Sequence, residues 1–228
     1  MKPLDEVVEF RAALTKYLDQ RDATGRVIGD AKRGVYVFYD YDKEPLYVGQ
    51  TTERVRVRIR RHLTNQRTDA ISMGVLNPAD VAYIEVWPFH QEMTKDEATR
   101  HLSAAEYTVY QRVVAASTVK AVLNEKDIPE TPLVELPESV MERVVPLDMF
   151  LSNRHPDLCI ARKIQSQMAL IEVINSRAAS PGLRRTLHTQ ARVIERLCQA
   201  RATSPSNGPH PFVMDGPTDI FELLGSVQ

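Results

Sequence analysis

Residues 34–50 read GVYVFYDYDKEPLYVGQ. Two aromatic-rich strings flank a charged loop, with Gly34 opening the first and Gly49 ending the second. Alternation bounded by turn residues predicts two short strands joined as a hairpin. The strands carry Tyr36 and Tyr47, and an arginine run follows: Arg54, Arg56, Arg58, Arg60, Arg61 and Arg67, with no acid among residues 54–67. Such a run focuses positive potential and suits phosphate oxygens.

Pattern alone leaves the arginine segment open. Val55, Val57 and Ile59 alternate with arginine as in a strand, whereas Val55, Ile59 and Leu63 share one helix face. The helical reading stacks Arg58 and His62 one turn apart beside the apolar stripe. Gly49 then gives a tight passage out of the strand, with Thr51 or Thr52 as cap. A solvated basic face is the alternative; the want of acids on the strip favours a polyanionic partner.

Working outward, DEVVEFRAALTKYLDQR predicts a first helix, and the polar DATGRVIGDAKR a connection. After the arginines, MGVLNPAD reads as a turn and VAYIEVW as a third strand, closed by Pro88. From Lys95 to about Val122 apolar residues recur at helical spacing, with Thr94 as cap. The acidic, proline-bearing NEKDIPETPLVELPESV reads as a linker or surface strap, and two amphipathic helices joined at SPG follow. The expected organisation is an N-terminal helical extension over 1–30, an α+β domain over 31–125, a proline-rich acidic linker over 126–154, a helical hairpin over 155–202 and a tail over 203–228. The expected fold is a small three-stranded antiparallel sheet flanked by helices, with additional helices at both ends.

Composition sets outer bounds. The chain has 228 residues, 43% apolar and 26% charged, which describes an ordinary globular protein. Its two cysteines, Cys159 and Cys198, are too few for a disulfide framework or a cysteine-built zinc site, so a reducing, cytoplasmic compartment is expected. No apolar run approaches the roughly 18 residues that cross a bilayer, and MKPLDEVVEF lacks a signal-peptide core. A net charge of -1 argues against an all-over basic coat but leaves room for a local patch. The histidines show no metal-ligand spacing, and the glycines near Gly25 and Gly29 do not form a phosphate-binding loop.

The conjunction of these strings resembles the GIY-YIG nuclease family. Gly34-Val35-Tyr36 is similar to its first tripeptide and Tyr47-Val48-Gly49 to its second, with valine for isoleucine in both. YVGQTTERVRVRIRRHL resembles the segment in which an arginine and then a histidine follow on the first helix, which maps onto Arg58 and His62 and favours helix over strand. SAAEYTVYQ resembles the helix bearing a metal-binding glutamate, here Glu106. Asn124 corresponds to an asparagine that often closes the domain. The resemblance covers roughly 33–124 and nothing after.

It implies a divalent-metal-dependent endonuclease acting on DNA, with double-stranded DNA as the expected partner. Glu106 is then the ligand for Mg²⁺, or Mn²⁺, with water and phosphate completing the shell. Arg58 is expected on the scissile phosphate and Tyr36 near the attacking water, with Tyr47 and His62 supporting them. Arg54, Arg61 and Arg67 join Arg58 as backbone contacts. In the C-terminal helices Arg162, Lys163, Arg177, Arg184, Arg185, Arg192 and Arg196 offer further contacts, or pack the hairpin onto the core. A catalytically silent nucleic-acid-binding or protein-interaction module is the alternative, and an RNA nuclease a further one. The sequence leaves the oligomeric state open, a homo-oligomer included.

Overall fold

The hairpin forms where alternation places it: β1 (Arg33–Tyr39) pairs antiparallel with β2 (Pro45–Thr51), Tyr36 opposite Gly49 and Phe38 opposite Tyr47. The structure is a computed structural model that describes residues 5–64, 74–124, 126–176 and 180–203. Arg67 and Arg177 lie outside the described residues, as does the tail from 204 onward. The third strand, β3 (Tyr83–Phe89), pairs antiparallel with β1 on its other side.

Pro88 lies within β3 rather than closing it. It stands opposite Gly34, and β4 (Val140–Arg143) pairs β3 only over Tyr83–Val86. The missing N–H therefore falls where no partner strand needs it. The sheet thus has four strands, in the order β2-β1-β3-β4, one more than expected. β4 comes from the proline-rich segment: once past Pro137, the chain is free to donate backbone hydrogen bonds and lies against the exposed edge of β3.

Helices cover both faces, giving an α+β architecture. Tyr36, Phe38 and Tyr47 point to one face, where they meet α1 (Asp5–Leu18) and α2 (Val55–Thr64) through Leu14, Tyr17, Leu18, Val55 and Ile59. Val35, Val37, Tyr39, Val48 and Trp87 point to the other, under α3 (Lys95–Ala116) with Leu102, Ala105 and Val109. A capping box of Thr94 and Glu97 starts α3, and the helix ends at Ala116, short of Val122. It stops where Ser117 and Thr118 turn to donate to the buried carboxylate of Glu44 in the β1–β2 loop. These bonds hold the Glu44 pKa below the usual carboxylate range although burial opposes it.

The chain continues through α4 (Leu147–Asn153), α5 (Pro156–Ser176) and α6 (Pro181–Thr203). Leu170 and Leu183 enter the same core as α2. Polar ties reinforce this: Arg162 pairs with Asp80 at 3.0 Å and Lys163 with Asp40 at 3.3 Å. Gly74 (φ +69°) sits so close that an added Cβ would lie 2.8 Å from the backbone nitrogen of Leu170.

Candidate active site

The segment that pattern left open is a helix. Val55, Ile59 and Leu63 face the core, and Arg58 and His62 rise together toward Tyr36. Thr51 does not cap α2 directly; β2 runs on to Thr51, whose hydroxyl bonds Glu53 in the turn between, and the first helical hydrogen bonds return to Arg54.

Arg58 Nε donates to Tyr36 Oη at 3.2 Å, and Tyr36 Oη lies 2.9 Å from His62 Nε2. The Tyr47 ring stacks on Tyr36 at 6.4 Å and lies tilted against His62 at 5.6 Å, centroid to centroid. Gly49 makes this arrangement possible, because a Cβ there would lie 2.6 Å from Tyr36 Oη and 2.9 Å from the Tyr47 ring. Only glycine lets the phenol lie across the neighbouring strand.

The cluster is graded in exposure. Tyr36 is 0% exposed and His62 2%, whereas Arg58 is half-buried. Burial, reinforced by Arg58 and then Arg61, pushes the His62 pKa down to about 4, so its imidazole is neutral at neutral pH. Burial also works against the Arg58 guanidinium, but the nearby oxygens of Tyr36 and Tyr47 more than offset it and raise its pKa. Among the described residues His62 Nδ1 is buried without a hydrogen-bond partner.

Glu106 comes from α3, on the other face of the sheet. Its Oε2 accepts a hydrogen bond from Gln50 Nε2 at 3.1 Å. Successive residues of β2 thus serve opposite faces: Gly49 underlies Tyr36, and Gln50 reaches Glu106. Edge strand β2 joins the two halves of the candidate site. Asn124 fixes that strand, accepting from the Val48 amide at 3.1 Å and donating to the Val48 carbonyl at 2.7 Å. Sequence reading passed over Gln50; its position directly after the second glycine tripeptide was the available signal.

The other arginines divide. Arg54 is exposed. Arg56 pairs with Asp19 at 2.8 Å, Arg60 donates to Thr15, and Arg61 pairs with Glu53 at 2.6 Å. Asp19 from α1 and Glu53, just before the strip, therefore neutralise part of a strip that has no acid of its own.

A single half-exposed carboxylate, oriented by a neutral amide, suits a hard cation that keeps water and phosphate oxygens as its other ligands. Among the described residues no group of three or more His, Cys, Asp or Glu side chains is gathered as a metal cage. No described helix is long and apolar enough to cross a membrane.

Residues 32–108 match the family model of the GIY-YIG catalytic domain, the domain of a family of endonucleases that act on nucleic acids. The match runs from the start of β1 into α3 and includes Tyr36, Tyr47, Arg58, His62 and Glu106. No curated protein and no solved structure matched the chain.

Proposed function

We propose that the protein is a divalent-metal-dependent endonuclease that hydrolyses phosphodiester bonds of duplex DNA. The observation that carries the reading is the convergence of Arg58 and His62 on the Tyr36 hydroxyl, beside the strand that also holds Glu106 through Gln50. Arg58, the half-buried member of the cluster, places a guanidinium on the scissile phosphate and offsets the charge that grows in the transition state. A lysine would not reproduce its planar fork.

Tyr36 is assigned to the attacking water. A phenol titrates near 10 in water, so this role needs help for the phenolate. Arg58 already donates to its oxygen. If the neutral His62 carries its proton on Nε2, it donates as well and leaves Nδ1 a bare acceptor; the other tautomer would bury an unpaired N–H. Two donors on one oxygen favour its ionised form. Tyr47 packs the ring assembly in place. Glu106 would hold a Mg²⁺ or Mn²⁺ ion, whose chemistry is to stabilise charge on the phosphoryl and leaving oxygens.

Backbone contacts fall to Arg54 and Arg61 beside the site, and to Arg67 further along the sequence. On the C-terminal helices Arg162, Lys163, Arg185 and Arg201 are taken up by Asp80, Asp40, Asp127 and Asp157. Arg184 and Arg192 stay exposed on one face of α6, two turns apart. The enclosure of Tyr36, at 0% exposure, favours a second reading, a catalytically silent nucleic-acid-binding module.

Cutting and binding separate the two. Arg58→Ala is expected to lower turnover at least 100-fold while duplex affinity falls less than about tenfold, since other arginines remain. Equal losses would make Arg58 a clamp. Tyr36→Phe with wild-type turnover and an unchanged pH profile would remove the phenol from the water.

A further inference from the structure

β2 is the outer strand of the sheet, so alternate residues turn their backbone groups away from β1. The Leu46 carbonyl is covered by the Leu123 amide at 2.7 Å, and both backbone groups of Val48 by Asn124. Among the described residues that cover stops at Val48. Gln50 is the next outward residue, half-exposed, and its side chain is the link from β2 to the half-exposed Glu106.

The chemistry of this link is selective. A lysine or arginine at position 50 would pair with the carboxylate and cancel its charge. The Gln50 amide instead donates one neutral hydrogen bond, which restricts rotation of the carboxylate without itself cancelling its charge. We propose that Gln50 is a positioning residue for Glu106, holding the carboxylate in the orientation in which it meets a divalent ion. This rests on the metal-dependent nuclease reading. An ordinary surface hydrogen bond between strand and helix is the competing role, and it makes no demand on metal affinity.

Mn²⁺ affinity, measured by water-proton relaxation with native protein, Gln50→Ala and Glu106→Gln, each with duplex DNA present, distinguishes them. The Mn²⁺ concentration giving half-maximal cleavage is measured in parallel for native protein and Gln50→Ala. Loss of a group orienting a metal ligand typically costs 10–100-fold in affinity. Gln50→Ala is therefore expected to raise both midpoints about tenfold or more, with the thermal midpoint little changed. If native protein is metal-dependent and Gln50→Ala has native midpoints in both assays, the positioning role is overturned alone. If Glu106→Gln binds Mn²⁺ as tightly as native protein, the metal assignment falls, and the positioning role with it.

Discussion

His62 is kept uncharged by burial and two neighbouring arginines, and this has a thermodynamic consequence. Its pKa in the fold is about 4, below the roughly 6.5 of an unfolded chain. As pH falls through this window the unfolded chain takes up the proton first, so stability is present above pH 6.5 and declines toward pH 4, by roughly 3 kcal/mol at most. Urea midpoints between pH 7.5 and 4.5 are expected to fall more steeply for native protein than for His62→Asn; parallel curves would mean that His62 takes its proton in the fold as readily as outside it. The sequence showed that His62 shares a helix face with Arg58, but not that the face points inward. Tyr36 and Gly49 were legible as a strand residue and a turn glycine; their close approach across the hairpin depends on register, which a single strand does not reveal.

At the scale of the elements, β2 does most to assemble the site. The first three strands and helices α1, α3, α5 and α6 were legible because each repeats at its own period and is bounded by turn residues or a cap, whereas α4 lies in the stretch expected as a linker. The arginine segment fitted two periods, and the core contacts of Val55, Ile59 and Leu63 resolve it as α2. β4 was hidden by the prolines around it. Asn124 caps the outer edge of β2 with two hydrogen bonds to Val48, between Tyr47 and Gly49. Asn124→Ala leaves both backbone groups without that partner and is expected to cost about 1–3 kcal/mol. Amide exchange should then quicken at Val48 first, since its N–H is the one that Asn124 accepts. Unchanged protection there would show that the strand keeps its edge without the asparagine.

At the scale of the molecule, the C-terminal helices are bound into the face of the sheet that carries α2. α6 reaches β2 through one intermediary, as Thr186 Oγ1 donates to the Asn124 carbonyl at 3.1 Å. α5 buries Lys163 against Asp40, and the nearby Asp80 and Asp40 raise the Lys163 pKa although burial opposes it. The DYDKE stretch read only as a charged loop, yet Asp40 and Glu44 are buried in it. Their partners, Lys163 and Ser117–Thr118, lie far along the chain, so no local pattern could show that these acids face inward. Lys163→Met strands the Asp40 carboxylate and is expected to cost about 3–5 kcal/mol. The loss should appear as one cooperative transition moved to lower urea concentration. Two separate transitions would show that the helices fold apart from the sheet.

The central claim is metal-dependent cutting of DNA at a site that uses Glu106. Its most direct test is incubation of supercoiled plasmid with Mg²⁺ or Mn²⁺, and with EDTA, using native protein and Glu106→Gln side by side and a labelled RNA as the second substrate. The account predicts nicked or linear DNA only with native protein and metal, and a Glu106→Gln variant that still binds the plasmid at low salt. Cutting at the native rate by Glu106→Gln, or binding without cutting on every substrate offered, would contradict it.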